Sequence, residues 1–301
     1  MVGIAIINYK TYQKTIECID SIRDGLQIPY KIYLLDNGSE NESAEVLRRT
    51  YENAADVRLI IEEKNHGYAR GNNICIGEMR QDGCKIGIIS NNDILCTPDS
   101  IEKLVEDLEE NEKYLLVGPK ILNHMGEFQK SVKIRKYKAT EYLKKSTYFA
   151  KFFKKESAAE EENVKKIENL TTVAWVSGAF FAFDVEKFAE IEDFDPTTFL
   201  FFEEYILAEK AAKKGYLLGY DPQAVVYHYH AYSTGGGMNI NAKIAADRSE
   251  RYYMKTYSEF GPGFISILEG IRLLEVLFTF GKKREWHSIG KYIQEVKVPL
   301  K

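Results

Sequence analysis

Short runs of β-branched and aliphatic residues recur along the first 120 residues, and helix-length segments of mixed polar and apolar positions separate them. Short apolar runs bounded by turn residues are typical of strands that are buried on both faces. Their alternation with amphipathic segments predicts βαβ units, and hence an α/β fold with a mostly parallel central sheet and helices on both faces. The predicted strands are Ile4–Ile7, Ile32–Leu35, Val57–Ile61, Ile86–Ile89 and Leu115–Val117.

The pattern changes in the middle of the chain. Between Gln129 and Lys155, ten Lys or Arg residues and six aromatic residues stand against a single acid, Glu141. Two interpretations fit this segment equally well. It could be a solvated amphipathic helix, or a surface that binds anionic lipid, where cations supply attraction and aromatic side chains lie at the interface. The acidic stretch at 156–162 that follows is typical of a solvated loop.

Regular structure is predicted again beyond this segment. Two more strand-like runs precede a helix that Gly215 would end in the usual C-terminal position. After a Ser-Thr-Gly-Gly-Gly loop that starts at Ser233, the remaining sequence predicts helices. The predicted strands are Val173–Trp175 and Ala179–Phe183, and the predicted helices are Phe202–Lys214, Ala242–Tyr257 and Phe264–Phe280.

Composition narrows the class of protein. The chain has 301 residues and a formal net charge of −4, so no global charge draws it to nucleic acid or membrane, and no nucleic-acid-binding motif is present. Four cysteines without a CxxC pair predict buried thiols in a reducing compartment. The most apolar segment, Phe264–Phe280, contains three charged residues and does not fit a membrane span. These features favour a cytoplasmic protein.

Polar clusters follow the predicted strands, which is where open α/β sheets bind ligands. Asn8-Tyr9 follows the first strand, and Asp36-Asn37-Gly38-Ser39 follows the second. A third cluster, Asn65 to Asn73, places glycines and amides at a loop-to-helix junction, which suits close approach of the backbone to a phosphate or a sugar. It lacks the GxGxxG spacing of dinucleotide folds and the GxxxxGKS/T pattern of P-loops. An ordinary capped turn would explain each cluster by itself.

Two further clusters contain acids. Asn91-Asn92-Asp93 ends the fourth strand and offers hard oxygen ligands that suit Mg²⁺ or Mn²⁺ on a diphosphate. Glu203-Glu204 opens a predicted helix, and His228 follows further along the chain. Two adjacent carboxylates in a confined site favour a raised pKa for one of them, as a general base requires. A turn-forming Asn-Asp and an exposed helix start that favours acids are the alternatives.

In their order and spacing, these clusters resemble the family 2 glycosyltransferases of the GT-A fold, especially the bacterial rhamnosyltransferase-like branch. The resemblance covers Val2 to about Tyr257. Each motif is weak by itself, and the resemblance depends on six of them in order. They are Asn8-Tyr9, Asp36-Asn37-Gly38-Ser39, Asn65 to Asn73, Asn91-Asn92-Asp93, Ser177-Gly178-Ala179, and His228 with Ser233-Thr234-Gly235-Gly236.

The resemblance implies a Rossmann-like GT-A catalytic domain over residues 1–240 and a C-terminal helical segment over 241–301. Residues 1–120 would form its nucleotide-binding half, and 121–240 its acceptor-binding half with the basic-aromatic insertion at 129–155. The implied activity is inverting transfer of a sugar from a nucleotide-sugar to a saccharide or lipid-linked saccharide in cell-surface polysaccharide synthesis. The residues implied to bind the nucleotide-sugar are Asn8, Tyr9, Asp36, Asn37, Asn65, Gly67, Tyr68, Arg70, Asn73, Asn91, Asn92, Ser177 and Gly178.

The resemblance also assigns roles at the reacting end of the donor. Asp93 and His228 would hold a divalent Mn²⁺ or Mg²⁺ on the diphosphate, and Asp36 would accept a hydrogen bond from the base. His230, two residues beyond His228, is the less favoured ligand. Glu204 would be the general base and Glu203 its neighbour, although the family usually has Glu-Asp at this position.

The sugar remains open at this level. Rhamnose from dTDP-rhamnose is favoured by the resemblance, with UDP-hexoses next. A GT-A module that binds a nucleotide-sugar without transferring it is the rival from another class, supported by the altered acid pair. A nucleotidyltransferase would need a Gly-rich basic loop at the first strand, and Asn8-Tyr9-Lys10-Thr11 is not one. The sequence leaves the oligomeric state undetermined and allows peripheral membrane contact.

Overall fold

The computed structural model of the protein describes residues 1–147, 154–229, 239–298 and 300. The strands and helices predicted from the apolar pattern within these ranges are present, except that the predicted strand Val173–Trp175 is divided at Ala174 between β9 and β10, which belong to different sheets. The strands are β1 (Val2–Asn8), β2 (Tyr30–Asn37), β3 (Val57–Glu62), β4 (Ile86–Asn91), β5 (Ile94–Cys96), β6 (Tyr114–Leu122), β7 (Phe128–Gln129), β8 (Val132–Lys133), β9 (Thr171–Val173), β10 (Trp175–Val176), β11 (Phe180–Asp184) and β12 (Leu217–His228). The helices are α1 (Tyr12–Gly25), α2 (Ser43–Tyr51), α3 (Gly67–Gln81), α4 (Ser100–Glu110), α5 (Ala139–Ser146), α6 (Lys154–Lys165), α7 (Val185–Glu190), α8 (Glu203–Lys213), α9 (Ile240–Thr256), α10 (Pro262–Lys282) and α11 (Trp286–Glu295).

The central sheet has the strand order β3-β2-β1-β4-β11-β6-β12-β5, with β7 beside β6 and β9 beside β12. Strands β3, β2, β1 and β4 are parallel to one another, and β6 is parallel to β12. Strand β11 is antiparallel to both β4 and β6. The predicted α/β class is confirmed, whereas the pairing beyond β4 is mixed. A buried apolar run looks the same in either direction, so the sequence pattern could not reveal this change.

Strand β1 shows why the predicted strands are continuously apolar. Ile4 and Ile6 belong to one buried cluster, in which Ile19 of α1 takes part, whereas Ala5 belongs to a second buried cluster with Ile76 of α3. Successive side chains of a strand point to opposite faces, so a sheet covered by helices on both sides buries every position. Burial of each large aliphatic side chain contributes about 1.5–3 kcal/mol.

The C-terminal helices contribute to two further hydrophobic clusters, one of which also contains Tyr142 of α5 and Ile206 of α8. Ile265 and Leu268 of α10 pack with Tyr253 of α9, and Val276 of the same helix packs with Ile289 of α11. None of the described helices is long and apolar enough to cross a membrane. The inward face of α10 is therefore an ordinary helix-packing face.

The basic-aromatic segment at 129–155 is not one amphipathic helix. Its described part contains the end of β7, then β8 and α5, and the acidic stretch expected to be a loop lies in helix α6. Several of its cations face acids in neighbouring elements, so their charge is partly compensated within the protein. The pairs are Lys130–Glu160, Arg135–Glu141 and Lys136–Glu209.

Candidate active site

A cleft of about 760 Å³ opens at the carboxyl ends of β1, β2 and β4, which is the edge at which open α/β sheets bind ligands. Its volume lies within the range of about 300–1,000 Å³ that is usual for small-molecule sites. Most of the site residues predicted from the sequence line it. They are Tyr9, Asn37, Asn65, Gly67, Tyr68, Asn91, Asn92, Asp93, Ser177, Gly178, Glu203, Glu204 and His228.

Asn8 and Asp36 do not line the cleft but are buried side by side at the ends of β1 and β2. The Asn8 amide donates to Asp36 Oδ1 at 2.6 Å, and the Ser39 hydroxyl donates to the same oxygen at 2.7 Å. The Ser39 backbone N–H donates to Asp36 Oδ2 at 3.2 Å. Asp36 is only 1% exposed. In this arrangement the carboxylate fixes the turn after β2, and its direct contact with a base stays a prediction.

Asn37 shapes the adjacent wall of the cleft. Its side-chain oxygen accepts the His66 backbone N–H at 2.9 Å, and its amide donates to Asn65 Oδ1 at 3.1 Å. Gly67 has a left-handed φ of +76°, and a Cβ at this position would lie 2.2 Å from the carbonyl oxygen of Phe199. Only glycine avoids both the strain and the clash there, so the loop can begin helix α3 directly against the segment that leads to the acid pair.

Arg70 and Asn73 lie outside the cleft, on helix α3. The Arg70 guanidinium donates to the backbone carbonyl of Pro196 at 2.8 Å. The Asn73 amide donates to the carbonyl of Phe194 at 2.9 Å, and its oxygen accepts the N–H of the same residue at 3.2 Å. These side chains hold the segment at 194–196 against α3. These contacts give both side chains a positioning role, and their contact with the donor stays a prediction.

Asp93 and His228 meet in the cleft, where His228 Nε2 lies 3.1 Å from Asp93 Oδ1. Both side chains are nearly buried. No group of three or more His, Cys, Asp or Glu residues within the described ranges could hold a metal ion. A hard cation held by one or two protein ligands takes its remaining ligands from water and substrate phosphates, and adjacent ligand atoms in its octahedral shell lie about 3 Å apart. The Asp93–His228 pair fits that kind of ion.

The two asparagines before Asp93 differ in their placement. The Asn92 amide donates to the hydroxyl groups of Thr11 at 2.7 Å and Thr15 at 2.9 Å, which fixes the end of β4 against the start of α1. The backbone N–H of Asn91 donates to the carbonyl of Ala179 at 2.8 Å. Both asparagines line the cleft. The threonines were missed in the sequence because isolated Thr residues in a helix start carry no pattern of their own.

The acid pair begins helix α8 immediately after a strained turn. Phe201 and Phe202 have left-handed φ angles of +74° and +69°, which are rare for aromatic residues and destabilise the backbone by about 1–3 kcal/mol each. Such strain is typical of sites where the fold aims a side chain for function. Glu203 is 4% exposed, whereas Glu204 is half-buried. Both carboxylates line the cleft.

Burial is the main cause of an unusual titration at this pair. It raises the pKa of Glu203, and the neighbouring charge of Glu204 raises it further. Burial also raises the pKa of Glu204, while backbone N–H groups and the charge of Lys133 act in the opposite direction. Desolvation disfavours a carboxylate, so both groups hold a proton to higher pH than an exposed glutamate does. This is the property that the sequence reasoning required of a general base.

Gly178 fixes the position of Glu204. Its backbone N–H donates to Glu204 Oε1 at 3.1 Å, and its carbonyl accepts the Tyr68 hydroxyl at 2.6 Å. A Cβ at this position would lie 2.8 Å from the Tyr68 hydroxyl and 2.9 Å from Glu204 Oε1. The glycine predicted from the Ser-Gly-Ala motif is therefore required for close packing of the carboxylate.

The cleft also contains residues that the sequence analysis missed. Tyr142 of α5, Glu250 of α9 and Arg272 of α10 line its far end. The Tyr142 hydroxyl donates to Glu250 Oε1 at 2.7 Å, and Arg272 Nη2 donates to the same oxygen at 2.6 Å. The sequence did contain a signal for these residues, because the apolar Phe264–Phe280 helix includes charged residues. A charge that is buried in such a helix needs a partner of opposite charge.

Two features of the predicted site lie outside the described residues. These are His230 and the Ser233-Thr234-Gly235-Gly236-Gly237 loop that follows it.

Comparison with known proteins places this geometry in context. The chain is similar to the N-acetylglucosaminyl-diphospho-decaprenol L-rhamnosyltransferase of Mycobacterium tuberculosis, with 26% identity over 218 residues, which is 69% of each chain. The solved structure of GalNAc-T7 with UDP, GalNAc and Mn²⁺ shares the fold with a TM-score of 0.64 at 14% identity. The similarity covers 86% of this chain and 48% of GalNAc-T7, so the chain spans about half of that protein's length.

A second solved structure shares the same fold. The mannosyltransferase PcManGT of Pyrobaculum calidifontis, in complex with GDP-Man and Mn²⁺, has a TM-score of 0.57 at 16% identity. The similarity covers 97% of this chain and 74% of PcManGT. Residues 3–186, more than half of the chain, match the family model for glycosyl transferase family 2. The protein is therefore a member of glycosyl transferase family 2, with a GT-A fold and a cleft at the carboxyl ends of its parallel strands.

Proposed function

We propose that the protein is a metal-dependent, inverting glycosyltransferase that moves one sugar from a nucleotide-sugar to an acceptor hydroxyl. The observation that carries the proposal is a single cleft that contains both the Asp93–His228 pair and the Glu203–Glu204 pair. The first pair is suited to a divalent cation, and the second is suited to proton transfer. A simple binding module has no need of a desolvated acid pair, because burial of carboxylates destabilises the fold.

The donor occupies the strand-end side of the cleft in this proposal. Asp93 and His228 hold Mn²⁺ or Mg²⁺, as the two proteins of similar fold suggest, since both were solved with Mn²⁺. When bound, such an ion neutralises charge on the leaving nucleoside diphosphate. The remaining predicted donor residues that line the cleft, from Tyr9 to Gly178, contact the nucleotide and sugar, and Asn8, Asp36, Arg70 and Asn73 support them. Residues 1–120 are thus proposed as the nucleotide-binding half, and 121–240 as the acceptor-binding half.

Glu204 takes the proton from the acceptor hydroxyl. Its carboxylate is oriented by the Gly178 N–H, so one oxygen is fixed and the other is available to the acceptor. The attacking oxygen approaches the anomeric carbon opposite the leaving diphosphate, which inverts the configuration in one displacement. Glu203, which is more deeply buried, stays protonated near neutral pH because of its raised pKa and adds no repulsion to its neighbour.

The donor and the acceptor are proposed from the relative. The protein of Mycobacterium tuberculosis is named for transfer of L-rhamnose to N-acetylglucosaminyl-diphospho-decaprenol. We therefore favour dTDP-rhamnose as donor and a lipid-linked saccharide as acceptor, within cell-surface polysaccharide synthesis. A UDP-hexose is the alternative donor, because the solved GalNAc-T7 structure contains UDP and GalNAc.

A panel of nucleotide-sugars tests the proposal. Thermal unfolding is measured with each nucleotide-sugar, with and without Mn²⁺, and the stabilising donors are then incubated with candidate acceptors while nucleoside diphosphate release is followed. A ligand at 100 times its dissociation constant adds about 2.7 kcal/mol to the free energy of unfolding. Stabilisation that requires Mn²⁺, followed by release of the nucleoside diphosphate, is the expected result. Stabilisation without any transfer or donor hydrolysis would instead identify a module that binds its sugar without catalysis.

A further inference from the structure

Exposed apolar side chains are concentrated at the C-terminal end of the chain. Among the described residues, twelve large hydrophobic side chains are exposed, and seven of them lie between residues 267 and 298. Scattered exposed apolar residues are normal on a protein surface, whereas their concentration on two helices that pack together is typical of an interaction site. The seven are Ile267, Leu274, Leu277 and Phe278 of α10, Trp286 and Ile293 of α11, and Val298.

The exposed residues of α10 share one face of the helix. Ile267, Leu274 and Phe278 are separated by seven and four positions, so they form a stripe along one side. No exposed position of this helix is acidic. Its two acids are paired with cations instead: Glu269, which is 34% exposed, accepts from Arg251 at 2.7 Å, and Glu275, which is 12% exposed, accepts from Arg272 at 2.9 Å. The stripe of Ile267, Leu274 and Phe278 therefore contains no acid.

Cations and a tryptophan border this stripe. Lys282, Lys283 and Arg284 are all exposed, and in the described part of the chain none of them forms an ion pair with an acid. Trp286 follows them and is 67% exposed. Apolar residues beside cations that lack ion pairs, with a tryptophan at the boundary, match the chemistry of an anionic membrane surface, where aromatic rings lie at the level of the headgroups.

We propose that the outer face of α10 and α11 binds the surface of an anionic lipid bilayer. The face is apolar where it would enter the boundary between headgroups and acyl chains, and basic where it would meet lipid phosphates. Helix α10 would lie flat, because the charged residues Glu269, Arg272 and Glu275 within it rule out a span, and it would cover about 30 Å of the surface. A second copy of the chain fits this face less well, since one exposed acid, Glu285, stands beside three exposed cations in the segment at 282–286.

The same helix connects this surface to the cleft. Arg272 lines the cleft, whereas Leu274 and Phe278 project from the outer face. A helix with its side chains is about 10–12 Å across, so membrane binding would hold the cleft close to the bilayer. This consequence rests on the proposed function, because it matters only for a lipid-linked acceptor. Binding of the face to lipid does not depend on transfer.

The test measures co-sedimentation of the full chain with vesicles that contain equal parts of phosphatidylglycerol and phosphatidylcholine. Wild-type protein is expected to bind these vesicles and to bind pure phosphatidylcholine vesicles far less. Lys282→Gln with Lys283→Gln should weaken binding about fivefold for each cation removed. Leu274→Gln and Phe278→Gln should weaken it further, because each removes an apolar side chain from the boundary region.

Matched control variants change the same chemistry elsewhere. Met125→Gln alters a side chain that is 65% exposed in the turn between β6 and β7, and Lys213→Gln with Lys214→Gln removes two exposed cations at the end of α8. Both controls should bind vesicles like the wild type. Binding that is equal in all variants overturns the proposal, as does wild-type protein that does not sediment with anionic vesicles. The alternative that the face forms a dimer is tested by sedimentation velocity. A wild-type dimer that dissociates in Leu274→Gln would show that the face binds a second copy of the chain and not lipid.

Nucleotide binding separates this inference from the proposed function. The α10 variants should keep the thermal stabilisation by nucleotide and Mn²⁺, because none of the exchanged side chains lines the cleft. A chain that binds vesicles but transfers no sugar would refute the proposed function alone. A chain that transfers sugar to a soluble acceptor but does not bind vesicles would refute only the proposal of a membrane-binding surface.

Discussion

Replacement of Glu204 by Gln removes a proton acceptor while it preserves the shape of the site. The side-chain oxygen of the introduced amide can still accept the Gly178 N–H that now reaches Glu204 at 3.1 Å, so the side chain keeps its anchor. An amide cannot take a proton at any accessible pH. The contribution of general base catalysis to the rate is about 10²–10⁴-fold, and we expect turnover to fall by that factor. Affinity for the donor should change little, because the proposed base contacts the acceptor.

Glu203→Gln is the matched control, since it makes the same chemical change one residue earlier. Its carboxyl is more deeply buried and already tends to be neutral, so the substitution should lower turnover by less than about tenfold. Steady-state transfer rates for wild type and both variants are measured across pH. The wild-type kcat/KM should rise with pH as Glu204 loses its proton. Because burial raises the pKa of Glu204, the midpoint of this rise should lie above the pKa of about 4.3 of a free glutamate.

Three results would contradict the assignment in different ways. Loss of turnover in Glu203→Gln alone would move the base by one residue. If kcat/KM of Glu204→Gln still rises with pH as it does in the wild type, then another group is responsible for the titration. Full activity in both variants would place the base elsewhere in the cleft. Near-ultraviolet circular dichroism and nucleotide affinity check that each variant is folded, so that inactivity can be attributed to chemistry.

Further predictions concern the metal, the nucleotide and stability. Asp93→Ala should abolish Mn²⁺-dependent nucleotide affinity in calorimetry, whereas Asp99→Ala, an exposed acid outside the cleft, should not; equal affinity in both would remove Asp93 from the site. Asp36→Asn should weaken nucleotide binding by about 1–3 kcal/mol, because an amide offers a donor where the Asn8 amide and the Ser39 hydroxyl need an acceptor, which disturbs the turn that supports the site; unchanged affinity would contradict this role. Glu203→Gln should raise the melting temperature at high pH and not at low pH, since a raised folded-state pKa gives stability that is present below the unfolded pKa and lost as pH rises through the folded one; a pH-independent difference would contradict burial as the cause. Gly178→Ala should lower turnover at least tenfold, because its methyl group would displace Glu204, and transfer assays check this.

The local pattern of the sequence was enough for most of the elements and for the class of the fold, although strand β12 and helix α6 were not predicted. Strand β1 could be identified because Ile4 to Ile7 are apolar without interruption, and Gly215 ended the predicted helix where the structure ends it, with a left-handed φ of +80°. Such signals are local, since they depend on the period of burial and on backbone conformations that one residue type favours. No local signal indicates the direction of β11, because that direction depends on which strands lie on either side.

Local signals also predicted part of the candidate site. Tyr9, Asn91 and Asp93 lie at or just beyond the carboxyl ends of β1 and β4, and the carboxyl ends of parallel strands share one edge, so their meeting in a cleft followed from the pattern. Arg70 and Asn73 belong to the same motif, yet their side chains bind the backbone at 194–196. A motif records which residues occur together and not which of them face a ligand.

The sequence by itself therefore determined strands β1 to β4, β6 and β11, most of the long helices, the α/β class and the set of polar residues at one edge of the sheet, because burial period and turn chemistry act over a few residues. Only the tertiary structure decided which acid of the pair is accessible, how Gly178 and Tyr68 orient it, and that Glu250 and Arg272 reach the cleft from the C-terminal helices. It also decided which face of α10 stays exposed. Desolvation, ion pairing and exposure depend on distant segments that pack together, and no short stretch of sequence contains that information.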